Sequence, residues 1–207
     1  MTNFDLNGIG MTSQRTRRRM VERLADRGIN DVRVLQAMSE VPRHIFVQEA
    51  FQSRAYEDFA LSIGEGQTIS KPYTVALMCQ IMMAVEPQKV LEIGTGCGYQ
   101  AQVLSLLVPK VYSIERIESL YKKARTTLLH LKSKAHLRFG DGYQGMPIQA
   151  PFDAILLAAA PLSIPEPLLD QLAPEGILLA PEGKQKQVQQ LVCYQKKSHG
   201  IERHVVG

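Results

Sequence analysis

The spacing of apolar residues changes near the middle of the chain. In the first part, apolar side chains recur every three or four residues, which is typical of helices that cover a core. The helices predicted in this part span residues 20–27, 31–41 and 72–83, with a further turn of structure over 45–51. Gly28 and Pro42 fit the ends of the first two helices. Residues 60–73 contain two glycines and a proline and are predicted to form a loop.

From Lys89 onward, short apolar runs alternate with helical patterns. The predicted strands are 89–93, 111–114, 136–139, 152–157, 177–180 and 188–194. The predicted helices are 98–107, 117–131 and 164–172. Strands that alternate with helices indicate a mostly parallel sheet with helices on both faces. We therefore predict an α/β fold in which residues 20–207 form one domain with an N-terminal helical cap.

A glycine-rich segment follows the first strand of this series. Its glycines, Gly94, Gly96 and Gly98, are spaced G-x-G-x-G between a strand and a helix. A tight turn alone could explain them, but this context is typical of a loop that binds a nucleotide-like cofactor. Dinucleotide folds use G-x-G-x-x-G, so the third glycine comes one residue early for a pyrophosphate. The spacing therefore argues against a nicotinamide oxidoreductase.

Acidic residues end three successive strands and indicate which cofactor is bound. Glu92 would repel a pyrophosphate but suits a cofactor that carries an ammonium and a sulfonium, which is S-adenosylmethionine. Glu115 could accept hydrogen bonds from both ribose hydroxyls. Asp141 could accept from the adenine amino group, and Gly142 offers a backbone N–H beside it. Each acid alone could be a solvated charge or part of a turn, but the three together are much more specific.

Composition and charge exclude several other functional classes. The net charge is +4, and residues 13–19 read SQRTRRR, which predicts a solvated, flexible arm over residues 1–19 or a contact with nucleic acid. Aromatic residues make up only 6% of the chain, without tryptophan, which argues against a base-stacking surface. Three unpatterned cysteines predict a cytoplasmic protein without disulfides or zinc. We expect no metal, no membrane span and no signal peptide.

Several motifs together resemble the protein-L-isoaspartate O-methyltransferase family. The motifs are LEIGTGCGYQ (91–100), GQTIS (66–70), FGDGYQG (139–145), PFDAILLAAAP (151–161) and the pattern of Val41, Pro42, Arg43 and Phe46. The likeness runs from about residue 29 to about residue 183. It implies a Rossmann-like, seven-stranded methyltransferase sheet. It also implies methyl transfer from S-adenosylmethionine to the free α-carboxylate of L-isoaspartyl residues in damaged proteins and peptides, which initiates repair and leaves S-adenosylhomocysteine.

The resemblance also assigns roles to individual residues. The expected cofactor-binding residues are Ser70, Glu92, Gly94, Thr95, Gly96, Gly98, Glu115, Asp141 and Gly142. The expected substrate-binding residues are Gly66, Gln67, Thr68, Ile69, Ala159, Ala160 and Pro161. Ser70 is expected to orient the substrate carboxylate, although a role as helix N-cap is the alternative. Cys97 stands where relatives often have serine and is interpreted as a small spacer. No general base is required, because a carboxylate is ionised at neutral pH.

Two other functions and one structural expectation remain open from the sequence. A nucleic-acid methyltransferase is favoured by the basic arm but disfavoured by AAAP at 158–161, which has no side-chain acceptor for an amino group. A non-catalytic binding protein is the other alternative. The last strand of the sheet is expected to be missing, which would leave an exposed or poorly ordered edge over residues 188–206 and lower activity. We expect a monomer.

Overall fold

The computed structural model describes residues 5–161, 163–183 and 189–206. Its α-helices are α1 (Gln14–Asp26), α2 (Val32–Glu40), α3 (Pro72–Met83), α4 (Tyr99–Leu107), α5 (Glu118–His130) and α6 (Glu166–Asp170). Its strands are β1 (Leu61–Gly64), β2 (Gln67–Ile69), β3 (Lys89–Ile93), β4 (Lys110–Glu115), β5 (His136–Phe139), β6 (Phe152–Leu157), β7 (Leu172–Glu182), β8 (Gln190–Lys197) and β9 (Gly200–Val205). Short 3₁₀ turns cover Arg43–Phe46, Glu49–Arg54 and Gly142–Gln144, among others.

A seven-stranded sheet forms the centre of the fold. Its strand order is β5-β4-β3-β6-β7-β8-β9, in which β3 to β7 pair in parallel and β8 and β9 are antiparallel. Val90, Leu91 and Ile155 of the central strands are completely buried, as expected of parallel strands covered on both faces. The carboxyl ends of β3, β4, β5 and β6 therefore lie along one edge, where open α/β sheets bind ligands.

The predicted α/β pattern is confirmed in most elements. Strands β3, β5 and β6 and helix α3 have the predicted ends, and α2, α4 and β4 differ from prediction by one residue at each changed end. The helix predicted over 164–172 is shorter, because β7 already begins at Leu172. None of the helices in the described part of the chain is long and apolar enough to cross a membrane.

The prediction of a loop over residues 60–73 is wrong in its centre. β1 and β2 form an antiparallel hairpin there, in which Leu61 faces Ile69 and Ser62 faces Thr68. The two strands have only four and three residues, so the apolar alternation is too short to be recognised in the sequence. Ser70 follows the hairpin directly and lies two residues before the start of α3.

The N-terminal arm is also shorter than predicted. Helix α1 begins at Gln14, after the side chain of Ser13 accepts a hydrogen bond from the backbone N–H of Thr16. Arg17 is only 5% exposed and donates to the hydroxyl of Tyr56 and to backbone carbonyls. A flexible arm is therefore wrong for residues 14–19, which belong to α1, although Arg15, Arg18 and Arg19 are exposed, and residues 1–4 lie outside the described part. The remaining domain boundaries stay a prediction.

The expectation of a missing last strand is wrong. β9 pairs with β8 from Gly200 opposite Lys197 to Val205 opposite Val192, and it completes the sheet. A tight turn at residues 198–199 lets the chain reverse at once, so the residues present suffice for a strand. The backbone N–H of Val206 also donates to the carbonyl of Leu191. β8 is thus paired on both sides over this stretch, so an exposed or poorly ordered edge is wrong for its described residues. The expectation of lower activity stays a prediction, and residue 188 is outside the described part.

Candidate active site

The glycine loop joins β3 to α4 at the carboxyl edge of the sheet. Gly98 is the N-cap of α4 and has a φ of +91°, which favours glycine. A Cβ at this position would also lie 3.2 Å from the Cδ1 of Leu128 in α5. The third glycine of the motif is therefore required both by the backbone conformation and by the close approach of the neighbouring helix.

Glu92 is a fully buried acid at the end of β3. One of its carboxyl oxygens, Oε2, accepts a hydrogen bond from the hydroxyl of Ser113 on β4, and Ser113 is also 2.5 Å from the hydroxyl of Thr95. The other oxygen, Oε1, has no hydrogen-bond partner. Burial raises the pKa of Glu92 to about 8, the hydrogen bond from Ser113 lowers it, and the nearby charge of Glu115 raises it further. Such a carboxyl is prepared to ionise when a cation arrives.

The buried carboxyl predicts a pH-dependent effect of Glu92→Gln on the cofactor-free protein. Unfolded Glu92 ionises near its usual pKa of 4.5, whereas the folded carboxyl stays protonated up to about 8, so the wild type loses stability as pH rises between these values. Glutamine copies the protonated shape and avoids this loss. We expect the variant to be the more stable by on the order of 4 kcal/mol at pH 7.5, with little difference at pH 4.5. Thermal unfolding across this range measures it; a difference that does not change with pH would contradict it.

Glu92 lines a small cavity of about 40 Å³ beside the glycine loop. The lining residues are Thr68, Ile69, Ser70, Val75, Glu92, Gly94, Thr95, Gly96, Cys97, Tyr99, Gln100 and Ala158. Gln100 is 7% exposed, and its Nε2 has no hydrogen-bond partner. Two residues that line one cavity, Glu92 and Gln100, thus have an acceptor and a donor, respectively, without a partner among the described residues. Buried polar groups without partners are rare and call for an explanation, and the amino-acid end of a ligand carries the two matching groups, an ammonium and a carboxylate.

Glu115 connects the end of β4 to the glycine loop. Its Oε2 accepts from the backbone N–H of Gly96 and its Oε1 from the backbone N–H of Ile117, both at 2.8 Å. The residue is 4% exposed. Each carboxylate oxygen has a second lone pair, so both can still accept a ligand hydroxyl. Glu115 therefore fixes the loop and keeps acceptors for a ligand.

Asp141 and Gly142 follow β5, next to Glu115. The backbone N–H of Gly140 donates to the carbonyl of Glu115, which ties the two strand ends together. Asp141 is exposed, and its carboxylate accepts from the backbone N–H of Tyr143. A Cβ on Gly142 would lie 2.4 Å from the Cγ2 of Ile93, so this glycine is needed for packing against β3. Both residues lie beyond the wall of the small cavity, along the same edge.

Ser70 lies between the β1–β2 hairpin and α3. Lys71 is the N-cap of α3 and makes no side-chain cap hydrogen bond, so the N-cap alternative for Ser70 is wrong. Within the described part of the chain, the Ser70 hydroxyl has no hydrogen-bond partner, while the Ser70 carbonyl accepts from Nη2 of Arg43 at 2.6 Å. The backbone of Ser70 is therefore held from behind, and its hydroxyl is free to contact a ligand.

The other residues expected at the site lie at different distances from the cavity. Thr68 and Ile69 line it, whereas Gly66 belongs to the hairpin turn and Gln67 begins β2, and neither of them lines the cavity. After β6, Ala158 lines the cavity, but the next three residues, Ala159, Ala160 and Pro161, do not. Burial raises the pKa of Cys97 to about 11, so its thiol stays protonated, in agreement with its interpretation as a spacer.

Two larger cavities lie outside this cluster. One of about 470 Å³ shares Cys97 as a wall, but it is otherwise lined mainly by apolar residues and by Lys122 and Lys123 of α5. None of the residues that line it is acidic, so it offers no carboxylate to a cationic cofactor. The other, of about 500 Å³, lies between α1 and residues 53–59, away from the strand ends. The small cavity, extended along the ends of β4 and β5, therefore fits the chemistry best.

Comparison with known proteins identifies the family to which the chain is similar. A family model described as protein-L-isoaspartate(D-aspartate) O-methyltransferase matches residues 15–206. A protein-L-isoaspartate O-methyltransferase of Halorhodospira halophila is 54% identical over 202 residues, which cover 97% of this chain and 92% of the relative. Protein-L-isoaspartate O-methyltransferase 1 of Marinobacter nauticus is 52% identical over 200 residues, with 96% and 91% covered.

Two solved structures share the whole fold. One, from Plasmodium falciparum, is described as a protein-L-isoaspartate O-methyltransferase in complex with S-adenosyl-L-homocysteine. It superposes with a TM-score of 0.79 at 25% identity, covering 92% of this chain and 94% of that one. A second structure of a protein-L-isoaspartate O-methyltransferase has a TM-score of 0.81 at 27% identity and covers 92% and 63% of the two chains.

Proposed function

This chain belongs to the protein-L-isoaspartate(D-aspartate) O-methyltransferase family, and we propose that methyl transfer takes place at the cavity beside its glycine loop. The enzyme transfers a methyl group from S-adenosylmethionine to the free α-carboxylate of L-isoaspartyl residues in damaged proteins and peptides. The observation that carries the proposed location is that Glu92 and Gln100, which line the cavity together with Ser70, each have a buried polar atom without a hydrogen-bond partner among the described residues.

Each residue of the cluster has a proposed part in holding the cofactor. Glu92 accepts from the ammonium of the methionine end, and Gln100 donates to its carboxylate. Glu115 accepts from the ribose hydroxyls. Gly94, Thr95, Gly96 and Gly98 provide the close backbone approach, and Asp141 and Gly142 border the adenine at the end of β5. S-adenosylmethionine supplies the electrophilic methyl group when bound and leaves as S-adenosylhomocysteine.

The substrate carboxylate needs orientation rather than activation. It is ionised at neutral pH, since its usual pKa is about 3.3–3.9, and no side chain has to remove a proton from it. The Ser70 hydroxyl, which is free in the structure, donates to one carboxylate oxygen and so directs the other towards the methyl group. Correct placement of two reactants can supply roughly 7–11 kcal/mol of a barrier. Gly66, Gln67, Thr68 and Ile69 on one side and Ala159, Ala160 and Pro161 on the other contact the substrate backbone.

We further propose that the protein acts as a cytoplasmic monomer and does not use nucleic acid as substrate. Cys79, Cys97 and Cys193 are all free thiols, which is typical of a reducing compartment. The low aromatic content argues against a surface that stacks bases.

The type of bond formed tests the proposed function. The enzyme is incubated with an isoaspartyl peptide and S-adenosylmethionine that carries a tritiated methyl group, and the product is then treated with base. A methyl ester releases tritiated methanol, whereas a methyl group on nitrogen or sulfur does not. We expect volatile label from the isoaspartyl peptide and none from tRNA. Stable label on either substrate, or no label, would contradict carboxyl methylation.

Gln100→Leu is expected to weaken cofactor binding by about tenfold, because it removes one donor to a charged acceptor. Calorimetry with S-adenosylhomocysteine measures the loss. 5′-Methylthioadenosine, which lacks the amino-acid end, is the control ligand, and its affinity is expected to change less than about twofold. An equal loss for both ligands would show that the substitution disturbs the whole site and would contradict the proposed contact.

A further inference from the structure

Arg43 is a buried cation directly behind the proposed catalytic loop. It lies in the 3₁₀ turn Arg43–Phe46 and is 0% exposed. Its Nε donates to the carbonyl of Ala55 at 2.8 Å, and its Nη2 donates to the carbonyl of Ser70 at 2.6 Å. Its guanidinium carbon lies 4.7 Å from the ring centre of Tyr99. The residue therefore joins the N-terminal cap to Ser70 and to the helix that follows the glycine loop.

The charge of Arg43 is not balanced by a neighbouring acid. None of the ion pairs among the described residues includes it, and its Nη1 has no hydrogen-bond partner. The charge of Asp58 acts on Arg43, but that carboxylate is already paired with Arg27 at 2.5 Å. A buried charge without a partner is costly, and arginine does not escape the cost by losing its proton. If Arg43 only had to hold the carbonyls of Ala55 and Ser70, an uncharged hydrogen-bond donor could do so at a lower desolvation cost.

The surroundings of Arg43 connect it to the place where the substrate anion is expected. Ser70, whose carbonyl it holds, and Tyr99, over which it lies, both line the small cavity. Burial raises the pKa of Cys97, which also lines that cavity, and the positive charge of Arg43 partly lowers it. A positive charge one layer behind the wall attracts an anion within the cavity, because the low local dielectric screens it weakly.

We propose that Arg43 is a positioning residue that fixes Ser70 through its carbonyl and makes the site prefer an anionic substrate group over a neutral one. The inference rests on the proposed function, since it assumes that the isoaspartyl carboxylate meets Ser70. The proposal also assigns a role to Arg43 of the Val41–Pro42–Arg43 pattern, which takes no part in the proposed cofactor contacts. Arg43 does not touch the substrate; it acts through Ser70 and through its charge.

The test compares the binding of two peptides to the full chain loaded with S-adenosylhomocysteine. One peptide carries isoaspartate and the other isoasparagine, its neutral isostere, at the same position. Because S-adenosylhomocysteine lacks the sulfonium charge, a preference for the anion reports on the charge of the protein. The variants are Arg43→Met, which removes the charge at similar volume, and Arg43→Lys, which keeps it. Arg17→Met is the matched control, because Arg17 is also a buried guanidinium that donates to backbone carbonyls, but it lies away from the cavity.

The proposal predicts that Arg43→Met lowers the preference for the anionic peptide by about tenfold, while Arg43→Lys and Arg17→Met keep it within about threefold of wild type. Turnover on isoaspartyl peptide is expected to fall by about 30-fold or more in Arg43→Met, with S-adenosylhomocysteine affinity nearly unchanged.

An unchanged preference in Arg43→Met, or an equal loss in Arg17→Met, would overturn the proposal. If Arg43→Met does not fold, loss of the preference in Arg43→Lys would overturn it. Failure of the wild type to methylate the peptide would instead overturn the proposed function.

Discussion

Alanine in place of Glu115 is expected to lower the affinity for S-adenosylmethionine by at least about 100-fold. The substitution removes two charged acceptors for the ribose, each contributing about 1.5–3 kcal/mol. It also removes the acceptors that hold the backbone N–H groups of Gly96 and Ile117, so the glycine loop loses its anchor to β4. Both losses act in the same direction, which makes this the largest expected effect on cofactor binding. Calorimetry with the cofactor and with S-adenosylhomocysteine measures it.

Two alanine variants serve as controls for Glu115. Glu118 lies three residues further along, is exposed and pairs with Lys122 on the surface of α5, so Glu118→Ala should change affinity by less than about twofold. Asp141→Ala should have an intermediate effect, because its exposed carboxylate already caps the turn at Tyr143. Cofactor affinity in Glu115→Ala that equals that of Glu118→Ala would contradict the ribose assignment.

The Ser70→Ala variant is expected to lose about 100-fold in turnover on an isoaspartyl peptide, with cofactor affinity within about threefold of wild type. In the proposed mechanism the hydroxyl orients the attacking carboxylate, so its loss affects the reacting geometry more than ground-state binding. Stability should be unchanged, because the hydroxyl has no partner among the described residues and does not cap α3. Steady-state kinetics together with thermal unfolding separate these effects.

Ser62→Ala is the matched control for Ser70. Ser62 lies in the same hairpin and is exposed, and its hydroxyl accepts from the backbone N–H of Gly64. We expect turnover in Ser62→Ala to remain within about twofold of wild type. Ser70→Thr keeps a hydroxyl and should recover a substantial part of the lost rate. Wild-type turnover in Ser70→Ala would mean that the loop backbone alone orients the carboxylate.

The central sheet could be predicted from the sequence because burial gives its strands a clear signature. β3 and β6 are covered on both faces, so they are continuous apolar runs between breaking residues, and their ends were predicted correctly. β9 gave no such signal. Its residues read Gly-Ile-Glu-Arg-His-Val, without apolar alternation, and most of them are exposed because it is an edge strand. An edge strand is stabilised by its pairing with β8, which the sequence pattern does not record.

The basic segment before Met20 was misjudged for a related reason. Charge in a sequence suggests solvent, yet Arg17 is buried because three of its donor groups find acceptors on distant parts of the chain. The neighbouring Arg15, Arg18 and Arg19 are exposed, as expected of such a run. Long-range hydrogen bonds decide between these outcomes, and local composition does not contain them.

In the candidate site, too, residues within local motifs could be predicted, whereas residues that act through long-range contacts could not. The glycine loop, Glu92 and Glu115 follow from motifs at strand ends, because the topology of a parallel sheet brings those ends together. Ser113, Gln100 and Arg43 could not be assigned in this way. Ser113 donates its hydroxyl to Glu92 from the neighbouring strand β4. Arg43 donates to the carbonyl of Ser70, which lies 27 residues further along the chain. Such roles depend on side-chain direction and on packing between distant segments.

The rate of methyl transfer to an isoaspartyl peptide, relative to the same peptide with a normal aspartyl linkage, tests the central claim most directly. The two peptides have the same composition and charge and differ only in which carboxylate is free. The site described here, in which Ser70 orients an α-carboxylate beside the cofactor, predicts transfer to the isoaspartyl peptide and at most about 1% of that rate on the aspartyl peptide. Equal rates on both peptides, or transfer to the aspartyl form alone, would contradict it.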